Sequence, residues 1–561
     1  MKKAQHYKNS EDVDLSVEKK RTKAGKICSR ILWQLGATLF FLMTALLVFF
    51  VITRTVIFKD QSQEFATILY WSDNYGALLI TEGFIAAILM VGILFVIYKF
   101  GSYFNLAAVL IVFIILSLFF SMHALFGAKL GTHGFNDSMS LIKYASDIVT
   151  NGWNTINPND VSHDAAIPTA YDYFSLYPFQ VGCFLYFVFI FKLFGAWNVF
   201  ALEMANVIAN EVAVLALIGV AFQMTASKQI KIASIVAISS SAPFLISASF
   251  PYGNSVGFAF ICLFLCAQVK SLKAREVGRE TIWQIISLVP LGFGVMIKPT
   301  FILIVLGILI ARIVDTFRSR RLLQLIIITS IFIISRFMVN LPITWVENRL
   351  QLNFGRGMPS SAWMEIGLSS SETLDDQPGW WDPTAIDNYY LTNGDYEKQD
   401  KLAKKGIEKS IDTFIKDPFY FLNFMSGKLS TEWVEPTYQS LMFYGLNADF
   451  NGRLTGYTAY QSMPITAYMR GYQIVLYIGS LLEAIFICFC SSNKKVDFSY
   501  LIYCIVFVGF ACYLIWEAKS LYVQPFSMIM TLVAVRGYYH FFGLMNKKLV
   551  NKRLINKRLI S

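Results

Sequence analysis

Asp137 stands in Gly134-Phe135-Asn136-Asp137-Ser138, a polar step between a long apolar run and an amphipathic stretch. A carboxylate at the rim of a membrane cavity can take a proton from an acceptor hydroxyl. Asp at a helix start can equally serve as an N-cap. Other polar groups lie in or beside apolar runs, where ionisable side chains are costly and mark candidate sites. Glu203, Asn206 and Asn210 form one helical stripe at i, i+3 and i+7, with Glu211 beside them. They suit a polar cavity or hydrogen bonding between packed helices. Lys298 lies in Ile297-Lys298-Pro299-Thr300 and Lys519 in Trp516-Glu517-Ala518-Lys519-Ser520-Leu521-Tyr522, each a short turn between apolar runs. Arg336 sits inside another run and could reach the same surface. Cations at that depth suit a lipid phosphate, or simply snorkel to water.

The elements that carry these residues follow from composition. The chain has 561 residues, 55% hydrophobic and only 15% charged, where soluble domains carry about 25% charge. Apolar runs of about 20 residues recur, the length that spans a bilayer's hydrocarbon core. Backbone groups there find no water, so each run must be a helix. The expected fold is therefore an all-α polytopic membrane protein. The first apolar run is too long for a cleavable signal peptide. The eight cysteines lie in or beside apolar runs, apart from Cys28 in the basic leader, and read as small packing residues.

Crossings are expected at 31–53, 76–98, 103–122, 197–224, 231–248, 252–269, 282–297, 300–314, 322–341, 466–489, 498–516 and 521–541. Lys and Arg in short loops mark the cytoplasmic side. The leader 1–30, the loops at Lys228/Lys231, Lys270–Arg279, Arg318–Arg321 and Lys494/Lys495, and the tail 542–561 are all basic. With about 12 crossings they all fall inside, and both termini are cytoplasmic. The apolar run 178–195 would invert this order if it crossed. It is read as an interfacial or re-entrant helix on the outer face. Because topology accounts for the net charge of +11, that charge is no sign of nucleic-acid binding. The repeated Asn-Lys-Arg-Leu-Ile of the tail either lies on anionic lipid headgroups or forms a solvated charged tail.

Two segments then face outward, 123–177 with five acids against two bases, and 342–465 with 16 acids against 10 bases. Within the first, Phe135, Met139, Ile142 and Val149 are expected on one helix face. Within the second, a helix near 395–416 should carry Ala403, Ile407, Ile411 and Ile415 on one face, with Glu397/Lys401 and Lys404/Glu408 pairs. Pro418 should stop it, and the aromatic stretch Phe419–Trp433 should lie along the membrane surface. The domain plan is a bundle over 31–341, a soluble outer loop over 342–465 and terminal membrane helices over 466–541.

No Gly-rich phosphate loop or dinucleotide fingerprint is present, and the five histidines lack ligand spacing. His163-Asp164 reads as a structural loop pair.

The outer Asp137, the amphipathic helix after it, and Tyr177-Pro178-Phe179-Gln180 opening a run that ends Lys192-Leu193-Phe194-Gly195 together resemble one family. They look like the GT-C superfamily of polyprenyl-phosphate-sugar-dependent glycosyltransferases, close to its protein mannosyltransferase and aminoarabinose transferase branch. The Lys298-Pro299-Thr300 turn, Trp363-Met364-Glu365-Ile366-Gly367-Leu368 with Gly379-Trp380, and Glu517 to Pro525 are similar to Gram-positive bacterial members. The resemblance covers most of 103–541 and implies a GT-C-type bundle.

It also implies a hexosyltransferase activity. The donor would be an undecaprenyl-phosphate-linked monosaccharide. The acceptor would be an extracytoplasmic cell-wall glycopolymer or protein. Asp137 would act as general base, while Lys298, Lys519 and Arg336 would bind lipid phosphate. Tyr177, Gln180, Glu203, Asn206, Glu517 and Tyr522 would line the cavity. Trp380 and Trp381 would stack on sugar or pack within the loop. Relatives often pair Asp with Glu where this chain has Asn136-Asp137, so a divalent metal is possible and its ligands unknown. Relatives often carry Arg-Tyr where this chain has Leu521-Tyr522. The rival functions are a lipid-linked sugar flippase or transporter, and a polysaccharide polymerase or ligase.

Overall fold

A computed structural model describes residues 23–58, 66–127, 137–160, 168–274, 276–319, 322–371, 377–442, 464–490 and 499–560. The chain is an all-α polytopic membrane protein. Among the described residues, ten single helices are long and apolar enough to cross a membrane, or up to 12 if each of two bent pairs is one span.

Helix α1 (Lys23–Thr53) leads into an antiparallel hairpin, β1 (Arg54–Phe58) with β2 (Ala66–Tyr70), registered Arg54 opposite Tyr70. Helices α2 (Asn74–Phe100) and α3 (Leu106–Gly127) follow. At one end of the bundle lie α4 (Asp137–Asn151), α5 (Ala170–Leu176) and α6 (Val181–Phe194). Then come α7 (Val199–Met224), α8 (Lys228–Ser239), α9 (Ala242–Ile246), α10 (Gly253–Lys273), α11 (Val277–Ile297), α12 (Ile302–Ser319) and α13 (Leu322–Leu350).

The segment after α13, expected to be the outer loop, folds as α14 (Ser360–Gly367), a short pairing of β3 (Ser370–Ser371) with β4 (Gln377–Pro378), α15 (Thr384–Leu391), α16 (Tyr396–Lys416) and α17 (Pro418–Trp433). The bundle closes with α18 (Pro464–Ile485), α19 (Ser499–Tyr513) and α20 (Ser520–Ile560). Helix α10 lies between α7 and α11, while α18 packs along α1, α2 and α20. The α18–α20 crossing is close because Gly479 and Gly537 face each other, and a Cβ at Gly537 would strike the Gly479 carbonyl.

The run 178–195 does not stand as a simple span. Helices α5 and α6 meet at 108° around Tyr177-Pro178, where Pro178 opens a 3-10 turn. The 14 residues of α6 reach about 21 Å, short of the ~30 Å core. Gly182 lets α6 touch the backbone of Met296 at the end of α11.

Several expectations need correction. Helix α13 does not stop at 341. It runs through Pro342 to Leu350, so the outer domain begins later. Helix α20 continues past the expected crossing 521–541 to Ile560, so the basic tail is helical. On α4 the buried face is Leu141, Ile142, Ala145 and Ile148, while Met139 is exposed; Phe135 lies outside the described residues. On α16, Ala403 is buried, but Ile411 and Ile415 are not. The ion pairs there are Lys404–Asp400 at 2.6 Å and Lys416–Asp412 at 2.5 Å, and Glu397 pairs instead with Arg356 at 2.7 Å. The segment Phe419–Trp433 is mixed, since its second half, from Phe424, turns into the protein.

Candidate active site

The turn that joins α9 to α10 places Tyr252. Its backbone is held from two sides: Ser138 Oγ donates to the Pro251 carbonyl at 2.7 Å, and Asn206 Nδ2 donates to the Ala248 and Phe250 carbonyls at 3.2 and 3.0 Å. Asn210 Nδ2 likewise holds the Phe244 carbonyl at 2.8 Å. The stripe on α7 therefore braces a break in a neighbouring helix, the interhelical role open to polar residues in membranes. Glu203 on the same stripe is buried.

Asp137 is the first residue of α4. The Tyr252 hydroxyl donates to its Oδ2 at 3.4 Å. Gln180 Nε2 in turn donates to the Tyr252 hydroxyl. The Tyr173 hydroxyl approaches the same carboxylate. Tyr173 comes from α5, whose start is capped by Thr169 accepting from the Asp172 amide at 3.2 Å. Burial raises the Asp137 pKa above the usual carboxylate value. Lys519 opposes this most strongly among the charged neighbours, with Lys298 also contributing. A carboxyl made more basic by desolvation yet flanked by cations is a stronger proton acceptor than an exposed carboxylate.

Lys298 caps α11 in extended backbone, and Pro299 begins the next turn. Its Nζ lies 4.2 Å from the Tyr252 ring centroid and 5.8 Å from that of Tyr522. Burial lowers its pKa to about 8; Cys183, Asp137 and Glu517 pull it back up, while Lys519 pushes it down. Glu517 is buried and accepts from the Tyr522 hydroxyl at 3.1 Å. Tyr522 also stacks on Tyr513, with centroids 5.8 Å apart. Tyr177 stands at the edge, packed on Tyr173, Phe179 and Trp363.

The structure thus gathers Asp137, Lys298, Lys519, Tyr177, Gln180, Glu517 and Tyr522 around one place. Asn206 supports this group from behind. Arg336 is different. It is exposed on the middle of α13, and no described contact ties it to the cluster. The 29-residue length of α13 puts Arg336 about 20 Å from either end of the helix, whereas the two lysines lie at turns between helices.

The outer domain sits directly on this cluster. Lys428 Nζ donates to the carbonyls of Gly367 and Trp516 at 2.5 and 2.6 Å. The Ala518 amide donates to the Gly379 carbonyl at 2.7 Å, and the Met358 amide to the Leu176 carbonyl at 3.3 Å. Glu435 is buried and accepts from Thr437, Gln439 and Ser520, fixing the first turn of α20 beside Lys519. Trp380 is fully buried, with its indole N–H donating to Thr431 at 2.9 Å, so it packs the domain and has no face for a sugar. Trp381 is partly buried, against the core of α14–α16.

Tyr252, Tyr173 and Lys428 were not singled out from sequence. The one available signal was position, since Tyr252 occupies a tight outer turn between two crossings.

Among the described residues no group of three His, Cys, Asp or Glu side chains could hold a metal ion, and Asn136 and the His163-Asp164 pair lie outside them. A divalent cation also fits poorly beside Asp137, whose charged neighbours are two ammonium groups. Comparison with family models, with curated proteins and with solved structures finds no match.

Proposed function

We propose that the chain is a membrane glycosyltransferase that uses a polyprenyl-phosphate-linked sugar at the outer face of a cell membrane, with both termini in the cytoplasm. The observation that carries this reading is the meeting of one desolvated carboxylate, Asp137, with Lys298 and Lys519 under a docked outer domain. Asp137, Tyr177-Pro178 and the Lys298 turn are also among the residues on which the sequence resembles GT-C enzymes.

In this reading Asp137 takes the proton of an acceptor hydroxyl as its oxygen bonds to the anomeric carbon. The bond from that carbon to the lipid phosphate breaks, and the electron pair leaves with the phosphate oxygen. Lys298 and Lys519 stabilise the charge that develops there. Tyr252, bridged to Gln180, orients the Asp137 carboxylate. The acceptor is an extracytoplasmic glycan or protein reached beneath the outer domain.

A second reading, a lipid-linked sugar flippase, draws on the break between α8 and α9, bent by 44° within the bundle, since broken helices line transport sites. One assay separates them. Purified protein in lipid vesicles receives undecaprenyl-phosphate sugars and soluble glycan acceptors, with Asp137→Asn in parallel. Transfer by the wild type that Asp137→Asn abolishes supports the enzyme. Translocation without transfer supports the flippase, and transfer undiminished in Asp137→Asn removes the base assignment.

A further inference from the structure

The elbow between α16 and α17 leaves a compact set of large apolar side chains uncovered. Residues 415–423 are all exposed. Phe419 is 81% exposed, Ile415 74% and Leu422 61%, with Ile411, Tyr420 and Phe421 also open. One ring is held inside: Phe414 packs against Tyr420, Phe421 and Phe424, which gives the elbow a defined shape. Such side chains are stabilised by leaving water, and clustered apolar patches mark a binding surface.

The elbow's place in the fold says what covers it. Arg54, immediately after α1, donates to Ser426 and Ser430 of α17 at 2.6 and 3.1 Å and lies over the rings of Phe50 and Tyr70. This fixes α17 across the end of a membrane helix. Trp71 stands half-exposed at the same level, with its indole N–H on the Ile52 carbonyl at 2.7 Å, as aromatic residues do at a membrane–water interface. From Ser426 back to Phe419 is two turns, about 10 Å. The exposed elbow thus begins about two turns from the end of α1, where Phe49 is itself exposed.

We infer that the α16–α17 elbow inserts Ile415, Phe419 and Leu422 into the bilayer interface next to α1, mooring the outer domain to lipid. The attraction is apolar. Local charges are mixed, with Lys416 paired to Asp412 and Asp417 capping α17. Insertion therefore does not depend on anionic headgroups.

The test uses full-length protein with Cys28→Ser, carrying a nitroxide at Phe419→Cys or, as reference, at the exposed Lys405→Cys. Both are reconstituted in phosphatidylcholine vesicles with and without phosphatidylglycerol. Collision with oxygen relative to a water-soluble nickel chelate is read for each label. The expected ratio at 419 is several times that at 405 and equal in the two lipids. Equal ratios at 419 and 405 would overturn the mooring. So would spin–spin broadening at 419 that disappears on dilution with unlabelled protein, which would assign the elbow to a second copy. A ratio that rises only with phosphatidylglycerol would overturn the apolar mechanism.

Discussion

Tyr252 donates its hydroxyl to Asp137 across 115 residues of sequence, while its ring carries the Lys298 ammonium at 4.2 Å. One side chain thus contacts both the candidate base and a candidate phosphate ligand. The bond favours the ionised carboxylate against the desolvation that raises its pKa. Tyr252→Phe should therefore raise the Asp137 pKa further and move the acid limb of kcat/KM to higher pH. A pH profile of the variant beside the wild type measures it, and an unmoved acid limb would detach Tyr252 from the base.

The pH profile should be bell-shaped. Asp137 must lose its proton to act, so activity rises with pH through its raised pKa. Lys298 must keep its proton, so activity falls as pH passes about 8. The limbs of kcat/KM report the free enzyme. Lys298→Arg keeps its charge at all accessible pH, and should push the falling limb well above 8 even if turnover drops. A limb that stays in place in Lys298→Arg belongs to another group.

Lys428→Met should loosen the outer domain without unfolding the bundle. It removes two charge-assisted hydrogen bonds and leaves the Gly367 and Trp516 carbonyls buried without that donor. The expected loss is about 3 kcal/mol of docking. Limited proteolysis in detergent should cut between 351 and 442 many times faster than in the wild type, with thermal unfolding of the bundle little changed.

Far from the site, Arg312 and Glu280 form an ion pair at 2.8 Å with almost no exposure, and Arg312 also donates to Ser271 at 2.8 Å. Arg312→Met strands the Glu280 carboxylate and should cost about 3–5 kcal/mol. The Arg312→Met/Glu280→Leu double variant should recover most of it. Thermal unfolding in detergent reads both, and a double variant as unstable as the single would locate the cost in packing.

The short basic loops set Asp137, Lys298 and Lys519 apart from them on a common face in the sequence reading. The structure brings these three to one end of the bundle. Their mutual contacts were not legible, since periodicity places a residue on a face but does not name its neighbour. Tyr252 comes from a turn held by bonds from Asn206 and Ser138, and Tyr173 from a short helix capped by Thr169. Pro342 looked like a boundary, yet α13 runs through it, as helices in a bundle can when neighbours absorb the kink. Arg336 seemed near an end only because that end was set nine residues early. Trp380 looked available for stacking because nothing local shows that Thr431 would receive its N–H.

The Trp516–Tyr522 turn carries Glu517 and Lys519, and it is also where Lys428 and Gly379 of the outer domain attach. The covering domain and one of the two cations beside Asp137 are therefore a single mechanical part. The domain cannot lift from the membrane helices without breaking these bonds or dragging Lys519 away from Asp137. In the glycosyltransferase reading proposed above, an arriving acceptor that displaced the domain would thereby loosen the grip on a lipid phosphate. The end of the reaction could then be signalled by movement alone, with no separate switch.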